Sequence, residues 1–237
     1  MGALPGGGVL IGPPGAVEEW FDVEPFRGAG RRVVVRTVDR RVLVLGSTQP
    51  ATVVDRARAE CSGVTLARRR SGGGAVLLEP GGQVWVDVWV PRGDRLWSDD
   101  PRRSAELVGD WWAAALQSCG ARDVRVHRSG SVPAPGSDLV CFAGLGPGEV
   151  IVDGAKLVGL AQWRSRQGTL VHGCAYRRWE PAALADLLAM DDGRRAALRV
   201  LLEAAALGLD QTDVSRFGER ALLGTLPEPE SWEVVSA

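Results

Sequence analysis

Lysine is nearly missing from this sequence: of its 28 lysine and arginine residues, Lys156 alone is lysine. A chain that uses guanidinium wherever any cation will serve has kept one ammonium, a compact point charge on a flexible stem, where geometry matters. The blander reading is a leftover surface lysine, and its neighbourhood has to decide. Net charge is nearly missing too. At −1 overall the chain lacks the basic footprint of nucleic-acid binders, and the clusters Arg68 to Arg70, Arg102 with Arg103 and Arg177 with Arg178 read as solvated faces. No nucleic-acid partner is expected.

Cysteine is sparse: Cys61, Cys119, Cys141 and Cys174 form no CxxC pair and no Cys/His spacing that suits zinc. No metal site is expected, and a chain of 237 residues needs no disulfide staples. Long apolar runs are missing as well, with none near the roughly 20 residues that span a bilayer. The start MGALPGGGVLIGPPG has neither the basic opening nor the unbroken apolar stretch of a secretion signal. The expectation is a cytoplasmic protein with reduced thiols and no membrane partner.

What is present is an ordered succession of patterns. Residues 1–30 are rich in Gly and Pro and read as an irregular lead-in. From Arg31, RRVVVRTV and RVLVLGS are strand-like, and Thr48 with Pro50 opens a helix expected to run to about Ala59. Strand signals return at 65–69, at 75–78 and in QVWVDVWV, where Val84, Val86, Val88 and Val90 alternate as in a half-buried strand. An amphipathic helix follows Ser104 and stops at Gly120, its Leu107, Trp111, Trp112 and Leu116 reading as core. Further strands fill 124–173, EVIV and KLVGLAQ being joined by Asp153-Gly154, a two-residue hairpin signal. After Trp179 the chain turns helical. Strands first and helices last predict an α+β fold with a mixed or antiparallel sheet packed with helices. The organisation expected is a catalytic domain over 31–180 with a C-terminal helical segment, 181–237, packed on it.

Two segments carry chemistry. In Arg68-Arg69-Arg70-Ser71-Gly72-Gly73-Gly74-Ala75-Val76, consecutive glycines let bare N–H groups approach a ligand, as anion-binding nests require. The spacing is not that of a Walker loop, and a flexible hairpin tip is the blander reading. The second segment, Asp153-Gly154-Ala155-Lys156-Leu157-Val158-Gly159-Leu160-Ala161-Gln162, puts the sole lysine at the mouth of a strand, where an ammonium can stabilise charge developing on an oxygen. His172-Gly173 lies in the next strand.

In this order the two segments resemble the catalytic domain of the lipoate/biotin protein ligase superfamily, where arginines and a GGG loop precede a K-(V/I/L)-x-G-x-A-(Q/Y) strand and an HG strand. The resemblance runs from about Arg31 to Gly173. It implies attachment of a lipoyl or octanoyl group to a lysine of a lipoyl carrier domain, of the 2-oxoacid dehydrogenase E2 or glycine cleavage H protein type. By it, Arg69, Ser71, Gly72, Gly73, Gly74 and Ala75 would hold the carboxyl end of lipoate or octanoate, Lys156 would polarise the reacting group, and Gly159, Ala161 and His172 would line the pocket. The loop resembles the ligases, which use ATP with Mg2+ to make an acyl-adenylate, and this route is placed first. Cys141-Phe142, fifteen positions before Lys156, resembles the cysteine-dependent octanoyltransferases, which need no cofactor and form a thioester on that cysteine. A buried structural cysteine is the blander reading. The GRGRxGR-type loop of the biotin branch is missing. Leu78 stands where the family usually has a His after GGGAV, which keeps a non-catalytic acyl- or carrier-binding relative in play, and the C-terminal segment is too short for the accessory domain of long-form ligases.

Overall fold

A computed structural model of the chain describes residues 17–21, 26, 30–228 and 232–236. Its organising strand is β5 (Gln83–Pro91). Val84, Val86, Val88 and Val90 share a core with Val108, Trp111 and Trp112 of the helix Pro101–Ser118, but Trp85, Asp87 and Trp89 on the opposite face are buried as well. The strand is therefore covered on both sides and not half-buried as its alternation suggested. Its one charge, Asp87, is paired inside the protein and not turned to water.

Strand β5 lies between β1 (Arg32–Arg36) and β9 (Gly168–Tyr176), both antiparallel to it. The sheet continues from β9 through β8 (Ala155–Arg164) and β7 (Val150–Val152) to β6 (Val124–Val126), while β10 (Glu233–Ser236) pairs parallel to β1 at the other edge. A second sheet sets β2 (Val42–Leu45) between parallel β3 (Thr65–Arg68) and antiparallel β4 (Val76–Leu78). Both sheets are mixed, and with their helices they make the α+β fold that the patterns implied.

Helix α1 (Val17–Trp20) is a single turn whose Val17 and Trp20, with Phe21, enter the same core as β2 and β4. That stretch of the expected irregular lead-in is thus ordered by burial; residues 1–16, 22–25 and 27–29 lie outside the described residues. The helix expected from Thr48 to Ala59 is two pieces, a 3-10 turn at Ala51–Val53 and α2 (Arg56–Cys61), capped by Asp55 accepting from Arg58 N at 3.1 Å. Val54 between them bridges to Leu188, so a tertiary pairing interrupts what local propensity would have continued. Helix α3 (Pro101–Ser118) begins three residues earlier than Ser104, on an Asp100 cap. Helices α4 (Pro181–Ala185), α5 (Asp192–Ala205) and α6 (Glu219–Gly224) follow Trp179, but the chain then returns to the sheet as β10. Among the described residues no helix is long and apolar enough to cross a membrane.

Candidate active site

The glycine loop joins β3 to β4 and is braced from behind by Arg69. That guanidinium is buried, and its Nη2 donates to Gly72 O at 2.7 Å and Gly74 O at 2.8 Å. Arg69, expected to grip a substrate carboxylate, is engaged inside the loop. Ser71 is buried, its Oγ without a partner among the described residues. The N–H groups of Gly72, Gly73 and Gly74 donate to no other described residue, and all three glycines line a cavity of about 560 Å3. Amides without a protein partner at a cavity wall are available to hold an oxyanion. Gly73 needs its positive φ of 94°, and a Cβ on Gly74 would stand 2.5 Å from Val140 main chain, whereas a Cβ on Gly72 would meet nothing within 4 Å. Gly74→Ala is accordingly expected to cost about 1–3 kcal/mol of stability from overpacking, and Gly72→Ala less than about 0.5 kcal/mol. Thermal unfolding of both variants checks this; equal stability losses would mean that the two glycines differ in nothing but their place in the turn.

Beyond the loop, Ala75 ties it to Cys141: Ala75 N donates to Leu139 O at 2.7 Å and Cys141 N donates to Ala75 O at 3.1 Å. Phe142 is fully buried, stacked on Trp179 at 5.3 Å and edge-on to Tyr176 at 5.0 Å, so it anchors the chain while its neighbour Cys141 faces the cavity, half-buried. The Cys141 Sγ lies 3.8 Å from where a Cβ on Gly73 would stand. All four cysteines are free, and burial pushes the Cys174 thiol well up, leaving it an inert core group.

Lys156 is placed by the hairpin foreseen at Asp153-Gly154, where both residues take positive φ, 50° and 85°. Its side chain runs inward. Lys156 is 2 % exposed; its ammonium donates to Cys141 O at 2.7 Å and Gly144 O at 3.1 Å, stands 2.6 Å from Glu149 Oε1 as an ion pair, and lies over the Phe142 ring at 4.9 Å. The sole lysine is thus no surface remnant. Gly159 is required by that packing, since a Cβ there would stand 2.9 Å from the Phe142 ring and 3.3 Å from Lys156 Cε.

An inner chamber of about 10 Å3, room for about one water molecule, adjoins the main cavity, sharing Cys141, Leu160 and Ala161 with it and ending at Trp85, His172 and Cys174. His172 faces Asp87 directly across β9 and β5, Nδ1 to Oδ1 at 2.6 Å, and Arg36 Nε donates to the other carboxylate oxygen at 2.8 Å. His172 therefore reaches the chamber wall but is oriented by Asp87. Burial alone would raise the Asp87 carboxyl, yet the charges and hydrogen bonds of His172 and Arg36 outweigh it and hold the group at about 2, below its ordinary 3.8. A carboxylate with a depressed pKa stabilises the fold above its ordinary pKa and loses that contribution as pH falls through the folded value. Acid titration of stability should show about 2 kcal/mol disappearing between pH 4 and 2, flattened in Asp87→Asn; an unchanged acid limb would remove Asp87 from this role.

Sequence reasoning missed Glu149 and Asp87. Leu78, where the resemblance would put a His, is fully buried in the hydrophobic core and lines neither cavity.

Comparison with known proteins follows the same lines. A family model described as the lipoyl protein ligase A/B catalytic domain matches residues 15–199. The octanoyltransferase LipM of Exiguobacterium sp. (strain ATCC BAA-1283 / AT1b) is 27% identical over 178 residues, 71% of this chain and 62% of that protein, so the match spans less than two thirds of the relative's length. The bi-partite lipoate protein ligase of Thermoplasma acidophilum, from a study with its E2 lipoyl domain, has a TM-score of 0.73 at 19% identity, covering 97% of this chain and 84% of that one. A lipoate-protein ligase A bound with ATP has a TM-score of 0.68 at 20% identity, covering 97% and 87%. At those identities the solved structures speak for the fold.

Proposed function

Because the chain belongs to the lipoyl protein ligase A/B catalytic-domain family, a family of enzymes, we propose that it moves an octanoyl or lipoyl group through a thioester on Cys141 to a lysine of a lipoyl carrier domain. The observation that carries this is Cys141 at the cavity wall between the unpartnered Gly72–Gly74 amides and the Lys156 ammonium. The Cys141 thiolate attacks the carbonyl of a donor thioester. The oxyanion so formed is held by the glycine amides, and the donor thiolate leaves. The ε-amine of the carrier lysine then attacks the Cys141 thioester, an amide forms, and the Cys141 sulfur leaves as the thiolate, the amine's proton passing to solvent. Lys156, bonded to Cys141 O, fixes the main chain that presents Sγ. Burying about six methylenes of the acyl chain would contribute roughly 5 kcal/mol, selecting medium-chain acids with little discrimination between octanoyl and lipoyl.

The loop sequence favours the ATP-dependent route, but the cations around the cavity favour the thioester. Of the basic side chains that border it or brace its loop, Lys156 spends its protons on protein acceptors, Arg69 is turned into the loop, and Arg102 is paired with Asp100 at 3.3 Å. These cations are engaged with protein groups, which leaves the Gly72–Gly74 amides and the exposed Arg102 as the groups that could meet a triphosphate; no step is derived through ATP. The second reading, ATP-dependent ligation, keeps the support of the Arg-Ser-Gly-Gly-Gly-Ala-Val loop. The deciding experiment is intact-mass analysis of apo lipoyl domain incubated with this protein, given either octanoyl-carrier or ATP, Mg2+ and lipoate. Carrier modification in the first mixture, with a transient acyl adduct on this chain, is expected. Modification only in the second would transfer the assignment to the ligase route, and modification in neither would leave the binding-only relative.

A further inference from the structure

We propose that Glu149 is the positioning residue of this site, the counter-ion that holds the Lys156 ammonium against the Cys141 main chain and sets the cavity wall around it. Glu149 is 3 % exposed, and its carboxylate ties three points of the chain together. Oε1 forms an ion pair with Lys156 Nζ at 2.6 Å and accepts from Leu160 N at 3.1 Å; Oε2 accepts from Gly146 N at 2.8 Å. Lys156 and Leu160 belong to β8, and Leu160 and Gly146 both line the cavity. From Lys156 the chain of bonds continues to Cys141 O and Gly144 O. One carboxylate thus fixes the ammonium, the loop bearing Gly144 and Gly146, and the strand opposite.

The charge matters separately from the packing. A buried ammonium is stable only when paired, and losing its carboxylate favours the neutral amine. Glutamine at position 149 would keep the shape and one acceptor, but it would remove the counter-charge and turn an NH2 toward either Gly146 N–H or Lys156. Aspartate would keep the charge but fall one methylene short. A core carboxylate with only a structural role would respond to both changes through stability alone. The inference rests on the assignment of Cys141 and Lys156 to the reacting site, so its test reads Lys156 directly as well as through turnover.

Because the chain has a single lysine, acetylation by acetic anhydride can be followed at Lys156 by peptide mass, apart from the N-terminal amine. Alkylation of the buried Cys174 with iodoacetamide reports opening of the same core. In full-length Glu149→Gln at neutral pH, Lys156 is expected to acetylate at least about ten-fold faster than in the wild type with Cys174 alkylation unchanged. Octanoyl transfer is expected to lose about a hundred-fold in kcat while KM for the donor moves less than about three-fold. Glu149→Asp should fall between the two and carries the comparison if the glutamine variant does not fold. Wild-type labelling and turnover in the variants, or Lys156 and Cys174 reactivity rising together, would overturn the proposal. Absence of carrier modification by the wild type itself would instead count against the proposed function, with the Lys156 labelling still deciding whether Glu149 holds the ammonium.

Discussion

Cys141→Ala is expected to lose octanoyl transfer by at least about three orders of magnitude while keeping its fold. The expectation of stability follows from what the side chain touches. Cys141 is held by its main chain, through N to Ala75 O and O from Lys156, and neither bond involves Sγ. Its thiol is only half-buried, and the hydrophobic anchoring at this point comes from Phe142. Removing one sulfur from a cavity wall should cost about 1 kcal/mol or less. The loss of rate follows from the chemistry: without Sγ there is no atom to carry the acyl group between donor and carrier, and the glycine amides alone retain only orientation. The measurements are thermal unfolding, single-turnover transfer and intact mass of the enzyme. A variant that unfolds normally, forms no adduct and still lipoylates the carrier with ATP and lipoate at near wild-type rate would return the assignment to the ligase route and leave Cys141 as a packing residue.

How much of this was legible in the sequence depends on whether the information was local. The Gly72–Gly74 loop, the Asp153-Gly154 turn and the lone lysine are written in residue types that have few other uses. The loop and the turn lie where their patterns put them, and the lysine follows the turn, but its ammonium runs inward to protein groups and not out to a substrate as the sequence suggested. The residues that control them are not local. Glu149 precedes a short strand in a segment whose pattern says only that a strand begins. Nothing in its spacing announces that it meets Lys156 across the hairpin, although a buried sole lysine requires a carboxylate somewhere. Asp87 carried a better signal. It is the one charge inside QVWVDVWV, and a charge in the middle of a covered strand calls for a partner on the next one, where His172 stands. For Arg69, sequence shows a cation beside a glycine loop but not which way it turns: its Nη atoms donate to the carbonyls of Val44, Gly72 and Gly74, while its buried Nε has no partner among the described residues. The interrupted helix at Val54 and the final strand β10 are tertiary effects, set by pairing with Leu188 and with β1.

The sole lysine allows stability and catalysis to be separated. Lys156→Met keeps an unbranched chain against Phe142 but leaves Glu149 buried opposite a thioether, and an uncompensated buried charge costs about 3–5 kcal/mol. The single variant should therefore melt far below the wild type and transfer no acyl group, a result that by itself mixes two causes. Adding Glu149→Leu removes the orphaned carboxylate. Replacement of a whole buried ion pair by apolar groups of similar volume is often neutral or stabilising, so the double variant is expected to recover most of the lost stability, less the hydrogen bonds that Leu160 N and Gly146 N gave to the carboxylate, worth about 1 kcal/mol each. Turnover should not recover, because the ammonium that holds Cys141 O is still missing. Denaturant unfolding and single-turnover transfer on the wild type, both single variants and the double complete the cycle. A double variant that regained transfer together with stability would show that the pair is only scaffolding and that the chain kept its one lysine for packing; one that stays stable and inactive assigns the ammonium to holding the Cys141 main chain in place for the reaction.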